Sequence, residues 1–335
     1  MSELQSNENI SGQYARAREG LAVFDISGRG RLSLSGRDTL KFLQGILTND
    51  VLKPAEGEGL YTLMLNRKGR VLTDMRLFKG DGVVIADLES CALAPTAQRL
   101  NEFKLSYKVA VEEKGGFSLL YLCGPEAAGA VSRLCGADAG RMKPFDHFEG
   151  EATGVKITAA RTDRAGAAGF DLACSSADAD AVLAALRAEG AGVCAPQVLE
   201  IMRVEEGVAL YGRDMDENVI APETGLLGAV SFEKGCYVGQ EIVARAHWRG
   251  RVNRLLARLE FDGAPPPEGA ELFSESGDRA GRITSSALSP RLGAVAMGYV
   301  RREFSEPQTG VRTDSGRDGK VVAAARDGFN QCLQG

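Results

Sequence analysis

Histidine and tryptophan are scarce in this chain of 335 residues, which contains two histidines, His147 and His247, and one tryptophan, Trp248. Its seven cysteines are widely spaced and form no CxxC pair. Two histidines and isolated cysteines give a structural zinc site or a stable iron–sulfur cluster little to build on. An odd number of separated cysteines does not indicate a disulfide framework either. We therefore predict no resident metal, and we expect most of the cysteines to be small buried apolar residues.

Strong net charge and long apolar runs are also missing. A net charge of -5 and a pI near 5.4 argue against direct, general nucleic-acid binding, although they leave room for a local basic patch. No apolar run reaches the length of a membrane span, and the polar first residues contain no signal-like segment. We therefore expect a cytoplasmic protein without membrane contact.

The common nucleotide and hydrolase motifs are absent as well. The stretch SGRGRLSLSG lacks the third glycine of a dinucleotide-binding turn, and its flanks are typical of strands. Gly319-Lys320 is followed by Val321 rather than by the Ser or Thr of a P-loop, and no GxSxG is present. These observations weigh against a nucleotide-dependent or serine-hydrolase function.

The order of strand and helix patterns predicts an α+β fold. Two or three domains are expected, because a chain of 335 residues is longer than one hydrophobic core usually serves. A short helix leads into strands near residue 22, Asp38 opens a helix, and the segment 60–88 reads as a β-meander with turns at NRKG and KGDG. Further helices are expected over 94–107, after a serine cap near 175, and from Pro196.

Residues 250–335 differ from the preceding residues in their pattern of apolar and turn-forming residues. RVNRLLARLEF alternates, with Leu255, Ala257, Leu259 and Phe261 on one side, and the later short strands are separated by Gly and Pro turns. This pattern predicts a small all-β domain. We place the domain boundary between residues 249 and 250.

The rare side chains gather just before that boundary, in FEKGCYVGQEIVARAHWRG, residues 232–250. If the chain turns at Gly239 and enters a helix, Cys236 lies just ahead of a helix N-terminus and beside Lys234, features that lower a thiol pKa. Gly235 and Gly239 would let a ligand or partner approach closely. Cys236 is then either a reactive thiol or an inert cysteine in a turn.

Five arginines follow the cysteine: Arg245, Arg249, Arg251, Arg254 and Arg258. Such a run suits a glutamyl tail, a phosphate backbone or an acidic partner. Arginines that alternate along an edge strand and a loop are also a common solubility device. The sequence does not separate these interpretations.

The octapeptide KGCYVGQE, residues 234–241, resembles the signature of the YgfZ-type folate-binding proteins, whose mitochondrial relatives assist iron–sulfur cluster maturation. RVEEGVALYGRDMDE, residues 203–217, resembles a segment of the aminomethyltransferase (T-protein) of the glycine cleavage system. FLQGILTNDV, YTLMLNRKGRVLTD and GRITSSALSPRLGAVAMGYV are similar to other parts of that superfamily. The resemblance implies two α+β units with Greek-key and ferredoxin-like sheets and a terminal β-barrel, arranged around a central folate.

The resemblance also implies site residues. Glu205 matches the glutamate expected to pair with the pterin edge, and Asp74 matches an aspartate near the reactive folate nitrogens, where a carboxylate can stabilise positive charge or move a proton. Taken by themselves, Glu205 reads as a solvated helix carboxylate and Asp74 as a structural aspartate at a strand end. The remaining implied positions are, for folate, Tyr61, Asn66, Tyr211, Arg249 and Arg251, and, for the signature motif, Lys234, Gly235, Cys236, Tyr237, Gly239, Gln240 and Glu241.

Two functions from different classes follow from the resemblance. The first is a tetrahydrofolate-binding accessory protein for iron–sulfur cluster assembly or repair, which contacts client or assembly proteins transiently and supports iron–sulfur enzymes such as those that modify tRNA. The second is a tetrahydrofolate-dependent aminomethyltransferase. The adjacent pair of acids usual in the T-protein is reduced here to Thr73-Asp74, which favours the first. The arginine run also leaves a third reading, a direct RNA-binding module.

Overall fold

The computed structural model of the protein describes residues 9–166, 168–249 and 252–325, without the side chains of His247 and Arg249. The chain forms two compact units. The first comprises Met1–Gln44, Val51–Tyr61 and Met75–Leu199, and the second comprises Gly45–Asp50, Thr62–Asp74 and Glu200–Gly335. Each unit is described by itself below.

Seven α-helices and seventeen strands are assigned within the described residues. The helices are α1 (Ile10–Glu19), α2 (Thr39–Ile46), α3 (Ser90–Phe103), α4 (Ala127–Cys135), α5 (Ala179–Ala188), α6 (Pro196–Glu206) and α7 (Gln240–Arg249). The strands up to the end of the first unit are β1 (Ala22–Asp25), β2 (Gly30–Ser35), β3 (Gly59–Leu65), β4 (Val71–Gly80), β5 (Val83–Leu88), β6 (Ala110–Glu113), β7 (Phe117–Cys123), β8 (His147–Ala152), β9 (Val155–Thr162), β10 (Gly169–Ser175) and β11 (Gly192–Val193). The later strands are β12 (Arg254–Phe261), β13 (Glu271–Ser274), β14 (Arg279–Ser289), β15 (Gly293–Arg301), β16 (Gly310–Thr313) and β17 (Asp318–Ala324).

The first unit is built on two sheets. One has the strand order β3-β4-β5-β2-β6, and the residues of β3 from 62 and of β4 up to 74 belong to the second unit. The other has the order β11-β1-β7-β10-β9-β8, in which only the short β11 runs parallel to its neighbour. Alternate residues of β7 and β10, such as Leu120, Leu122 and Leu172, pack with the apolar faces of α4 and α5 into one core.

The second unit contains a closed barrel with the strand order β12-β15-β14-β13-β16-β17, in which β17 pairs back to β12. Its core is formed by alternating small and branched residues, among them Leu259, Leu272, Ile283, Val300 and Val321. Closure pairs every strand on both sides. The interpretation of the arginines after Cys236 as an edge-strand device is therefore wrong for Arg258, which is paired with Met297 of β15 and with Ala323 of β17.

The α+β prediction and the all-β C-terminal prediction are confirmed. The meander over 60–88 is present, with Gly69 and Gly82 at positive φ in its two turns. The helix expected over 94–107 begins at Ser90 instead, so that Pro95 lies inside it as the sixth residue. It ends at Phe103, and Leu105 has left the helical region with φ 39°. The division at residue 250 stays a prediction.

Candidate functional site

Glu205 lies in the last turn of α6, which begins at Pro196, where the missing proline N–H would have no helical partner anyway. Glu205 is only 3% exposed. The Ser289 hydroxyl donates a hydrogen bond to its Oε1, and Nη2 of Arg291 lies 3.5 Å from its Oε2. The guanidinium of Arg258 donates to its backbone oxygen at 2.7 Å. The alternative of a solvated helix carboxylate is therefore wrong.

A buried ion pair fixes the same turn of α6 against the barrel. Nη1 of Arg203 donates to Oδ2 of Asp214 at 2.6 Å, and its Nη2 donates to the Ser285 hydroxyl at 2.8 Å. Burial lowers the pKa of Arg203, but Asp214 and Glu200 raise it by more, so its pKa stays above the usual value. Both partners of this pair are almost completely enclosed. Because Arg203 is two residues from Glu205, the pair also restricts where Glu205 can lie.

Asp74 is 5% exposed and lies within β4, as its fourth residue, rather than at a strand end. The neighbouring Thr73 is fully buried, and its hydroxyl donates to the backbone carbonyl of Asp74 at 3.0 Å. The position where the T-protein pattern has its first acid is therefore occupied by a hydroxyl engaged in a local bond. Of the adjacent residues Thr73 and Asp74, only Asp74 therefore carries a carboxylate.

Lys234 faces the interior of the second unit. Its ammonium donates to the carbonyls of Leu47 at 2.8 Å and Asn49 at 2.9 Å, and it lies 5.2 Å from the centre of the Tyr237 ring. Burial lowers the pKa of Lys234 to about 8, against a smaller raising effect of Asp50. The lysine of the signature motif therefore joins the loop 47–49 to the loop 231–237. The structure assigns it a position that sequence reasoning did not predict.

Cys236 lies in an exposed loop four residues before the first residue of α7, and the turn at Gly239, with φ 84°, is confirmed. A Cβ atom at Gly239 would stand 2.6 Å from the carbonyl oxygen of Asn66, whereas one at Gly235 would meet no atom within 4 Å. Gly239 therefore serves internal packing, which corrects the expectation that it lets a ligand approach. Gly235 keeps the open space beside Cys236.

The other residues named from the sequence fall in different places. Oδ1 of Asn66 accepts from the amides of Lys68 and Arg70 and so shapes the turn between β3 and β4. Tyr211 is half-buried and bridges to Met215. Tyr61 is buried and belongs to the first unit, whereas Glu205, Asp74, Asn66, Tyr211 and residues 234–241 belong to the second. Gln240 opens α7, and Glu241 forms an ion pair with Arg245 at 2.6 Å.

The arginine run divides among several roles. Arg254 pairs with Glu223 at 3.1 Å and lies 4.8 Å from the centre of the Tyr299 ring, and Arg258 binds the backbone of Glu205. The predicted contacts of Arg249 and Arg251 lie outside the described residues, because the Arg249 side chain and all of Arg251 are not described. The described members of the run are therefore engaged within the chain.

Two clefts open on the second unit, with volumes of about 1080 and 460 Å³. Arg254 and Asn218 line both of them. Among the described residues, neither lining includes Glu205, Asp74 or Cys236. We centre the candidate site on the buried carboxylates instead, because both clefts are open and lined by surface charges that are mostly paired with one another.

The described residues contain neither a cluster of metal ligands nor a membrane-spanning helix. No three His, Cys, Asp or Glu side chains come together there as metal ligands. No helix among those residues is long and apolar enough to cross a membrane.

The family models and the relatives that match this chain belong to the same family. The family model described as the GCVT N-terminal domain matches residues 3–234, and the one described as the glycine cleavage T-protein C-terminal barrel domain matches residues 254–326. An aminomethyltransferase of Synechococcus sp. (strain RCC307) is 30% identical over 303 residues, which cover 89% of this chain and 84% of that protein. One of Thermosynechococcus vestitus is 28% identical over 89% of this chain and 81% of its own.

The fold agrees with the family models. The crystal structure of the glycine cleavage system aminomethyltransferase T from Bartonella henselae superposes with a TM-score of 0.86 at 22% sequence identity, covering 96% of this chain and 90% of that one. At this identity the likeness concerns the fold. The family models cover nearly the whole chain, so the chain belongs to the glycine cleavage T-protein (aminomethyltransferase) superfamily.

Proposed function

We propose that this protein binds tetrahydrofolate, or a one-carbon derivative of it, at a site that contains Glu205 and Asp74. The observation that carries this proposal is the buried, oriented carboxylate of Glu205. A pterin edge presents adjacent N–H donors, and a carboxylate in a water-poor site is a suitable two-oxygen acceptor for them. Ser289 donates to Oε1 and Nη2 of Arg291 lies 3.5 Å from Oε2, so both oxygens of the carboxylate are held in place.

The family supports the same cofactor, because aminomethyltransferases depend on tetrahydrofolate and the relatives carry that name. When bound, the folate supplies the nitrogen atoms that accept a one-carbon unit. The chain's own residues then have separate tasks. Glu205 orients the pterin end, and Asp74, enclosed in β4, stabilises positive charge or moves a proton near the reacting nitrogens.

Aminomethyl transfer is the reaction that the relatives favour. In that case Asp74 acts without a second acid beside it, since Thr73 donates its hydroxyl to a backbone carbonyl. One carboxylate instead of two lowers the negative charge that the site offers to a developing cation. We therefore expect any transfer to be slow compared with that of relatives that keep both acids.

A tetrahydrofolate-binding accessory protein for iron–sulfur cluster assembly or repair is the second candidate. Two observations favour it: Thr73 replaces an acid, and Cys236 is exposed within KGCYVGQE, the segment that resembles the YgfZ-type proteins. An accessible thiol suits brief contact with sulfur, iron or a thiol of a partner. Partners would be iron–sulfur assembly or client proteins bound transiently, with enzymes that modify tRNA among the indirect beneficiaries.

A pair of assays separates the candidates. Release of the aminomethyl group from a lipoylated carrier protein is measured with tetrahydrofolate present, with a T-protein as reference. In parallel, a deletion strain is grown under oxidative stress with and without the gene. Transfer at the reference rate establishes the enzyme. Transfer far below it, with a growth defect and low activity of iron–sulfur enzymes that the gene restores, establishes the accessory protein.

A further inference from the structure

The larger cleft of the second unit, with a volume of about 1080 Å³, is rich in arginine. Among the described residues that line it, three are glutamates and four are arginines, namely Arg70, Arg254, Arg301 and Arg302. All of these residues belong to the second unit, so the cleft lies within one unit. The described lining therefore has a positive charge in excess, in a protein whose net charge is -5.

The strand register places two of these arginines directly opposite each other. Arg254 of β12 pairs with Arg301 of β15, so their side chains leave the barrel sheet on the same face. Like charges at opposite positions of an antiparallel pair destabilise it. The backbone N–H of Arg302 donates to the carbonyl of Asn253 at 3.0 Å, which continues the pairing beyond the strand ends. The end of this strand pair thereby brings three arginines to one cleft.

The opposed arginines are compensated unequally by the glutamates of the cleft. Nη2 of Arg254 lies 3.1 Å from Oε2 of the mostly buried Glu223 and also donates to the carbonyl of Asn218, so both bonds use the same nitrogen. Arg301 lies 3.7 Å from Glu303, beyond hydrogen-bond distance, and these two side chains are 53% and 63% exposed. Such an exposed ion pair contributes little to stability. A ligand can therefore replace Glu303 as the partner of Arg301 at small cost.

Arg70 enters the same cleft from another segment, the turn between β3 and β4. An antiparallel bridge to Ile220 fixes its backbone, and the next amide, that of Val71, donates to the carbonyl of Val219 at 2.9 Å. Nη1 of Arg70 donates to the backbone carbonyl of Glu217 at 3.3 Å, and Arg70 forms no ion pair within the described part of the chain. It therefore brings to the cleft a positive charge that no described carboxylate contacts.

We propose that this cleft binds a phosphate group, with Arg70, Arg254 and Arg301 as its donors. A phosphate monoester carries a charge of about -1.5 to -2 and three acceptor oxygens, so one group can accept from several guanidinium groups at once. A carboxylate has a single charge and two oxygens and would satisfy fewer of them. The cleft is larger than one phosphate and suits a small phosphorylated molecule, and the backbone of a nucleic acid presents the same group. The inference concerns another site than Glu205 and does not depend on the proposed function.

The test uses the whole protein and inorganic phosphate as the probe, with binding followed by phosphorus NMR at low salt. Arg70→Gln and Arg301→Gln should each lower the phosphate affinity about tenfold, the loss expected for one hydrogen bond between charged groups. Arg312→Gln is the control and should leave the affinity unchanged. Arg312 is an exposed arginine of the same barrel, paired with Asp318 at 2.6 Å, and it lies outside the lining of the cleft.

Glu306→Gln should change the phosphate affinity in the opposite direction. Glu306 is exposed and lines the same cleft, so removal of its negative charge should raise the affinity about twofold to threefold. A variant that merely disturbs the fold would lower the affinity instead. Added sodium chloride should reduce both the affinity of the wild type and its difference from Arg70→Gln, because salt screens charges at an open cleft.

Two further probes identify the source of the phosphate. Glycerol 3-phosphate represents a small phosphorylated molecule, and a single-stranded RNA without terminal phosphates represents a nucleic-acid backbone. The probe whose binding is weakened by Arg70→Gln identifies the source, and binding of inorganic phosphate alone identifies the free ion as the ligand. The inference is overturned if the wild type binds phosphate no more tightly than acetate at equal ionic strength. It is equally overturned if Arg70→Gln and Arg301→Gln bind phosphate as the wild type does, or if Arg312→Gln loses as much affinity as they do.

Discussion

The hydroxyl of Ser289 is a fixed donor to the carboxylate of Glu205. Its oxygen accepts hydrogen bonds from the amides of Arg291 at 3.0 Å and Leu292 at 2.8 Å, so its own proton is directed to Oε1 of Glu205. Ser289 ends β14, 84 residues from Glu205 along the chain. The turn after β14 thereby holds one oxygen of this carboxylate in place as a hydrogen-bond acceptor.

Glu205→Ala should weaken tetrahydrofolate binding by about 1.5–3 kcal/mol, the usual contribution of a hydrogen bond to a charged group. Ser289→Ala should weaken it less, because the carboxylate remains and only its orientation is lost. Glu206→Gln is the matched control, since Glu206 is the next residue of α6 and is more exposed. Calorimetric titration measures all three. An unchanged affinity in folded Glu205→Ala would remove Glu205 from the site.

Gly239→Ala should destabilise the second unit by about 1–3 kcal/mol, whereas Gly235→Ala should change its stability by less than about 0.5 kcal/mol. Gly239 has φ 84°, and its added Cβ would collide with the carbonyl of Asn66. Gly235 has open space at its Cα. Denaturant unfolding of the two variants, four residues apart in one motif, provides the comparison. Equal destabilisation would contradict the packing role of Gly239.

The sequence was sufficient for the elements whose signals are local. The meander over 60–88, the start of α6 at Pro196 and the turn at Gly239 follow from alternation, proline chemistry and glycine chemistry. It was not sufficient for contacts between distant segments. Ser289 and Asp214 hold α6, and Leu47 and Asn49 hold Lys234, through bonds that no spacing in the sequence indicates.

The burial of single charges was equally hard to predict. Glu205, in a helix beside Arg203 and Glu206, has the pattern of a surface residue, and only the resemblance to a family pointed to its role. The buried carboxylate of Asp87 is surrounded by four arginines that become neighbours only through sheet register and loop position: Arg29 just before β2, Arg31 of β2, Arg76 of β4 and Arg164 before β10. No periodic pattern encodes such a meeting of charges.

Lys234→Met should change the pH dependence of unfolding between pH 8 and 10. Burial lowers the pKa of Lys234 to about 8 in the folded protein, and the unfolded side chain titrates near 10.5. Between those values the unfolded state binds more protons, so Lys234 makes stability rise with pH; below pH 8 both states are protonated and the effect is constant. The unfolding free energy of the wild type should therefore rise by about 2 kcal/mol relative to Lys234→Met from pH 7.5 to 9.5.

The upper limit of pH 9.5 avoids the titration of a second group, the hydroxyl of Tyr237. Burial raises the pKa of Tyr237 to about 12, so Tyr237 reduces stability as the pH exceeds the unfolded value of 10. Lys234→Arg is a second variant, because an arginine stays charged throughout and should show no rise. If the unfolding free energies of the wild type and of Lys234→Met change in parallel from pH 7.5 to 9.5, then Lys234 keeps its proton as an exposed lysine does.

Arg249→Ala combined with Arg251→Ala should reduce binding of polyglutamylated folate more than that of the monoglutamate. Each added glutamate contributes a carboxylate, so the difference between the two ligands should shrink as salt is added. Arg245→Ala is the control, since Arg245 is already paired with Glu241. Titrations at low and high salt measure the effect. Equal losses for both ligands would place the two arginines away from the tail.

Cys236→Ser distinguishes the enzyme from the accessory protein. In an aminomethyltransferase the reacting groups are the folate, the carrier thiol and a carboxylate, so Cys236→Ser should leave transfer intact. In an accessory protein whose thiol handles sulfur, iron or a redox signal, the thiolate is the reactive group and serine cannot replace it. The substitution changes little volume in an exposed loop, so folate affinity should be unchanged in both cases.

Complementation of a deletion strain by Cys236→Ser should then fail or fall sharply, with low activity of iron–sulfur enzymes, if the accessory role is correct.

The rate of alkylation of Cys236 near neutral pH tests the reactivity of its thiol directly. Cys91 is also exposed, at the start of α3, and serves as the internal reference, whereas Cys123 is completely buried. A reactive Cys236 should be alkylated several-fold faster than Cys91. Full complementation by the serine variant, together with alkylation no faster than that of Cys91, would make Cys236 a structural loop residue. The motif would then act through Lys234, which joins two loops, and through Gln240 and Glu241, which open α7.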